Sequence, residues 1–161
     1  MNKKIFVFYP PSKLYQRGED RSQGNVEDSS ATTMRAPNDL GYASSTLKQK
    51  NYQVKLKDYQ SENLSFDVLK SDFEKYIPDV IFMSITNATI YGDLEIIREL
   101  IKDQPNTVVI LKGALFFNPD DEMLKLLPLE NIDYLIGGES DFVLADLIDA
   151  HFNDKEKIKD I

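Results

Sequence analysis

Three continuous apolar runs punctuate the chain: Ile5-Phe6-Val7-Phe8-Tyr9, Val80-Ile81-Phe82-Met83 and Val108-Val109-Ile110-Leu111. A run without polar alternation fits a strand buried on both faces, as in a parallel sheet covered by helices. Tyr134-Leu135-Ile136 reads as a shorter strand of the same kind. Tyr52-Gln53-Val54-Lys55-Leu56-Lys57 instead alternates strictly, with lysines on one face. That pattern predicts a strand partly open to solvent, near an edge. Between these runs the apolar positions recur at helical spacing. The stripes are Leu40, Ala43, Ser44 and Leu47; then Phe66, Leu69, Phe73 and Ile77; then Ile90, Leu94, Ile97 and Ile101; and last Leu144, Leu147, Ile148 and His151. Asn38, Ser65, Asn118 and Ser140 are the expected helix caps, with Pro119 at a first helical position and Pro78 as a stop. Asp93 lies early in the third helix and Lys102 late, as the helix dipole prefers.

Five strands thus alternate with five helices. Short loops and right-handed crossovers favour a flavodoxin-like, doubly wound α/β fold: a five-stranded parallel sheet of order 2-1-3-4-5 in three layers. An edge position for the second strand agrees with that order. One domain is expected over residues 1–153, with 154–161 a charged tail that frays or continues as a linker. Residues 12–37 show no apolar period and carry the cluster Arg17-Gly18-Glu19-Asp20-Arg21. A structureless stretch this long is either a functional loop or a mobile surface loop.

In such sheets ligands sit beyond the carboxyl ends of the strands, where the strand order reverses. The third strand ends in Ser84-Ile85-Thr86-Asn87-Ala88, the fourth in Gly113-Ala114, and the fifth in Gly137-Gly138-Glu139-Ser140. Any one glycine after a strand is an ordinary turn residue. Small or polar tips along one rim point instead to a nucleotide-like ligand, since glycine lets a ligand approach the backbone and helix starts suit phosphate. Small residues in the first helix mean close packing or room for a ligand. Familiar site types fail on spacing. Gly18 and Gly24 do not make a dinucleotide fingerprint, no Walker loop is present, and the third strand lacks a terminal aspartate. His151 lies far down the last helix from any strand tip, so no Ser-His-Asp catalysis is expected.

The 161 residues carry a formal net charge of −8, which disfavours nucleic acid and anionic membrane as partners. With no cysteine, disulfides, thiolate metal sites and iron–sulfur ligation are excluded for this chain. No apolar run approaches a membrane span. A cytoplasmic monomer is expected.

Several stretches together resemble the cobalamin (vitamin B12) binding domain found at the N-terminus of B12-dependent radical SAM enzymes. They are Phe8-Tyr9-Pro10-Pro11, the helix start Pro37-Asn38-Asp39-Leu40-Gly41-Tyr42-Ala43, and Lys75-Tyr76-Ile77-Pro78-Asp79-Val80-Ile81 followed by Ser84-Ile85-Thr86. Lys112-Gly113-Ala114 and Asp133-Tyr134-Leu135-Ile136-Gly137-Gly138-Glu139 complete the set. The resemblance spans about residues 3–152 and rests on the order and spacing of loose motifs. It implies a corrin ring over the C-terminal rim. It implies a nucleotide tail lined by Ser84, Thr86, Asn87, Ala88, Thr89, Gly113, Ala114, Gly137, Gly138, Glu139 and Ser140.

The family's D-x-H-x-x-G signature, whose histidine ligates cobalt, is absent here, as in many radical SAM members. The resemblance therefore implies base-off cobalamin without a histidine ligand. Tyr15, Arg17 and Arg21 are candidates for the lower corrin face, although Arg17 and Arg21 could equally pair with Glu19 and Asp20 on the surface. No C-x-x-x-C-x-x-C cluster motif is present. The 4Fe-4S cluster and S-adenosylmethionine would then belong to a C-terminal radical SAM domain of a longer parent enzyme, methyl transfer being its commonest chemistry, and this chain alone would not be an enzyme. The reading from another class is a ligand-free flavodoxin-like module that binds a protein partner through its acidic surface and the 12–37 loop.

Overall fold

The computed structural model describes residues 3–12, 36–87 and 89–161. Each apolar run is a strand: β1 Lys4–Tyr9, β3 Val80–Ser84, β4 Val108–Lys112 and β5 Tyr134–Ile136. The alternating run is β2, Gln53–Asp58. All pairings are parallel, and the order is β2-β1-β3-β4-β5. The helices are α1 Asn38–Gln49, α2 Phe66–Tyr76, α3 Ile90–Ile101, the short α4 Asp121–Leu124 and α5 Val143–Asn153. The strand order reverses between β1 and β3, as the flavodoxin-like topology requires.

The sheet divides two cores. Ile5, Val7, Val80, Phe82, Val108 and Ile110 face Leu40, Ala43 and Leu47 of α1 and Leu144, Leu147 and Ile148 of α5. Phe6, Phe8, Ile81, Met83, Val109 and Leu111 face Leu69 and Phe73 of α2 and Leu94 and Ile97 of α3. Side chains two apart in a strand share a face, so residues beyond each strand's last apolar position inherit a known side.

Several local expectations need correction. The lysine face of β2 is not its open face. Lys55 and Lys57 turn under α2, and each places Nζ 2.9 Å from Asp72. Burial pushes Asp72 up, but hydrogen bonds from Lys55, Lys57 and Tyr59 reverse this and hold it well below the usual carboxylate range. Leu56, on the other face, is the exposed residue. Ile77 is not inward either: it ends α2 at a left-handed φ of 51°, exposed, because the following Pro78 disfavours a helical conformation before it. Pro37, not Asn38, occupies the cap of α1.

After β4 a 3₁₀ turn, Ala114–Phe116, intervenes, and α4 starts beyond Asn118 and Pro119. Its cap is Asp120, whose carboxylate accepts from Glu122 N at 3.0 Å. Ser140 does not cap α5, which begins at Val143; its side chain is turned into the protein. The tail winds as a further 3₁₀ helix, Lys155–Asp160, whose Ile158 packs against the α1–α5 core.

Candidate functional site

The strand parity carries a polar layer to the top of the α1–α5 core. Tyr9 follows Val7, Ser84 follows Phe82, and Lys112 follows Ile110 on that face. Ser84 and Lys112 are register partners. Lys112 is only 1% exposed, with Nζ 4.0 Å from Asp39 Oδ2 in the first turn of α1. Tyr9 donates its hydroxyl to the same carboxylate at 3.3 Å. Asp39 therefore ties the ends of β1 and β4 to the start of α1.

Around this layer lie buried polar atoms without a partner among the described residues: Ser44 Oγ on the inner face of α1, and Ser140 Oγ and Asp141 Oδ1 in the loop before α5. Thr46 Oγ1 donates to the carbonyl of Asp141 and fastens that loop to α1. An unpartnered buried donor or acceptor costs about 1–3 kcal/mol, and native proteins hold few of them. Three such atoms, on α1 and on the loop that Thr46 fastens to it, are polar groups that the described residues leave unsatisfied.

The two glycines after β5 separate packing from access. A Cβ at Gly137 would lie 2.1 Å from the carbonyl oxygen of Phe116 and 2.2 Å from its carbon, so backbone packing against the 3₁₀ turn explains that glycine. A Cβ at Gly138, in the bend after β5, would meet nothing within 4 Å. Gly113 is snug, with Ile85 Cγ1 at 3.1 Å from such a Cβ.

On the opposite face the β3 tip feeds α3. Thr86 Oγ1 lies 3.0 Å from Thr89 Oγ1, and Thr89 donates to Asp93 Oδ2 at 2.6 Å. Asp93 is 3% exposed. Burial raises its pKa to about 7, against a smaller lowering by the Thr89 hydroxyl. Sequence reasoning placed Asp93 only as a dipole partner, although it sits three residues after Ile90, inside the apolar stripe. An aspartate at an inward position was the available signal. Lys112 gave the same kind of signal at the end of an apolar strand.

The structure brings Ser84, Thr86, Thr89, Gly113, Ala114, Gly137, Gly138 and Ser140 to one rim, together with the exposed Asn87 and Glu139. Ala88, Tyr15, Arg17 and Arg21 lie outside the described residues, as do Glu19 and Asp20. Exposed aromatic residues stand at helix and turn positions along this rim: Tyr42, Tyr91, Phe117 at 75% and Phe142 at 77%. His151 is at the other end of the sheet, where Nδ1 shares a 2.7 Å hydrogen bond with the hydroxyl of Tyr134, the first residue of β5. Among the described residues, no cluster of three or more His, Cys, Asp or Glu could hold a metal ion, and no helix is long and apolar enough to cross a membrane.

No family model matches the chain. An uncharacterized methyltransferase of Pyrococcus horikoshii, PH0819, is 25% identical over 115 residues, which cover 71% of this chain and 24% of that protein. The radical S-adenosylmethionine methyltransferase TsrM from Kitasatospora setae, solved with cobalamin and a [4Fe-4S] cluster, superposes with a TM-score of 0.58 at 17% identity, over 93% of this chain and 24% of TsrM. The cobalamin-dependent radical enzyme OxsB, solved with aqua-cobalamin and S-adenosylmethionine, gives a TM-score of 0.67 at 16% identity, over 95% of this chain and 19% of OxsB. The chain thus spans about a quarter of the curated relative's length and shares its fold with one domain-sized part of each of these enzymes.

Proposed function

We propose that this chain is a cobalamin-binding domain serving a B12-dependent radical SAM enzyme, with the nucleotide tail of the cofactor between α1, α5 and the C-terminal ends of β3, β4 and β5. The observation that carries this reading is the set of buried atoms without a partner among the described residues, Ser44 Oγ, Ser140 Oγ and Asp141 Oδ1, together with the open space at Gly138 after β5. They fit the cofactor: a flat heterocycle on a phosphodiester wants small walls and a few fixed polar contacts. The fold shared with TsrM and OxsB, both solved with cobalamin, supports the same reading.

When bound, cobalamin supplies a cobalt centre able to carry a methyl group. The chain's own residues would hold and orient it. Serine hydroxyls reach the tail, Lys112 and Asp39 close the floor, and the rim aromatics Phe117 and Phe142 offer apolar contact above. The only histidine is at the far end of the sheet, so the reading includes a base-off cofactor without a histidine ligand. The cluster and S-adenosylmethionine belong to a radical SAM domain of the same parent chain, and methyl transfer is the parent chemistry. The exposed aromatics also favour a second reading, a ligand-free module whose rim docks a protein partner.

A visible-absorbance titration with hydroxocobalamin separates the two. Saturable binding that Gly138→Leu abolishes, with the variant still folded by circular dichroism, is the expected outcome. Binding that Gly138→Leu leaves unchanged would contradict the pose, and no binding up to the solubility of the cofactor would favour the protein-docking module.

A further inference from the structure

We propose that Thr86, Thr89 and Asp93 form a hydrogen-bonded relay whose sense reverses when Asp93 takes up a proton, so that the hydroxyl offered at the β3 tip accepts from a ligand in one state and donates to it in the other. The chain of contacts is short and continuous: 3.0 Å between the two threonine oxygens and 2.6 Å from Thr89 to the carboxylate. An ionised carboxylate only accepts. Thr89 must then donate inward, its oxygen takes the proton of Thr86, and Thr86 presents lone pairs to the rim. A protonated Asp93 can donate to Thr89, which donates to Thr86, which turns its proton outward.

Asp93 is suited to the switch because it is buried and, among the described residues, its charge has no cationic partner. Its raised pKa of about 7 has two causes, burial and the opposing Thr89 bond. Among the described residues, the titratable groups nearest on the elements packed with α3 are Tyr91 and Glu95 on α3 itself, Asp67 and Lys70 on α2, and Glu130 in the segment before β5, and none is among the causes of the shift. The loop after β4, from Gly113 to Pro119, contains no titratable side chain.

The relay itself requires no ligand. Its use, favouring a phosphate or amide oxygen over an N–H at Thr86 when Asp93 is protonated, rests on the function proposed above. In a carbon-13 NMR pH titration of the ligand-free domain, the Asp93 carboxyl should titrate near 7, with Thr86 and Thr89 amide signals following the same midpoint. Thr89→Val should leave an Asp93 transition but erase it from Thr86, and Asp93→Asn should remove it everywhere. Titration of Asp93 among the ordinary carboxylates, or a Thr86 transition unchanged in Thr89→Val, overturns the relay. With hydroxocobalamin as probe, affinity should fall about tenfold from about pH 6 to about pH 8 in the parent protein and stay flat in Asp93→Asn. Flat affinity beside an intact relay overturns its use in binding. No binding at any pH beside an intact relay contradicts the proposed function and leaves the relay standing.

Discussion

The two rims of the sheet treat their polar groups in opposite ways. At the N-terminal rim, carboxylates are satisfied by the strands themselves. Asp79 accepts from Lys4 N at 2.8 Å and Lys3 Nζ at 3.0 Å, and Asp133 accepts from Val109 N at 2.8 Å. Tyr52 bonds Asp149, and Tyr134 bonds His151. Toward the C-terminal rim, among the described residues, Ser44, Ser140 and Asp141 hold buried atoms without partners, and Asp93 is buried against a single hydroxyl. One end of the fold spends its polar groups on holding strands in register. The other also ties Tyr9 and Lys112 to Asp39, yet leaves several polar groups available, as a ligand site in a doubly wound sheet requires.

The largest expected effect tests the C-terminal rim through pH. Because the folded pKa of Asp93 lies above its ordinary 3.8, the folded state keeps a proton that the unfolded chain releases. The resulting stability is fully present below about pH 4 and is lost as pH rises toward 7. In the limit the difference reaches about 4 kcal/mol. Asp93→Asn should therefore gain stability over the parent protein progressively across that window. Chemical denaturation at several pH values measures it, and parallel curves would show that Asp93 is not strained.

Next, Gly137→Ala should destabilise by about 3 kcal/mol, since its Cβ meets backbone that cannot yield. Gly138→Ala should be near neutral in the same thermal melts. Equal losses would erase the distinction between packing and access. Asp79→Ala, which strands the Lys4 amide, should cost about 2 kcal/mol and leave cobalamin affinity unchanged. Ser140→Ala is the smallest change and, like Asp93→Asn, a gain. Removing an unpartnered buried hydroxyl should stabilise the ligand-free domain by about 1 kcal/mol while weakening cobalamin binding.

The strands were legible because runs such as 80–83 and 108–111 fit burial on both faces, short loops and right-handed crossovers favoured the order, and the alternation in 52–57 marked an edge that agreed with it. The rim itself was legible as a row of small and polar tips. What sequence could not supply was the direction of side chains around those tips. Ser140 has the composition of a cap, yet its hydroxyl points inward, and Asp120 does the capping that Asn118 was expected to do. Capping signatures are short, and several residues compete for each helix start. Lys55 and Lys57 were read as solvent-facing because nothing local announces Asp72, fifteen and more residues away. Asp79 and Asp133, which carry part of the family resemblance, turn out to hold strands rather than ligand.

The central claim is that the C-terminal rim alone receives the cofactor, and amide chemical-shift mapping with hydroxocobalamin tests it most directly. The expected result is perturbation of Ser44, Ser84, Thr86, Gly113, Gly138, Ser140 and Asp141, with Asp79, Asp133, Tyr134 and His151 unmoved. Perturbation concentrated on the latter group, or spread evenly over both rims, would contradict the account.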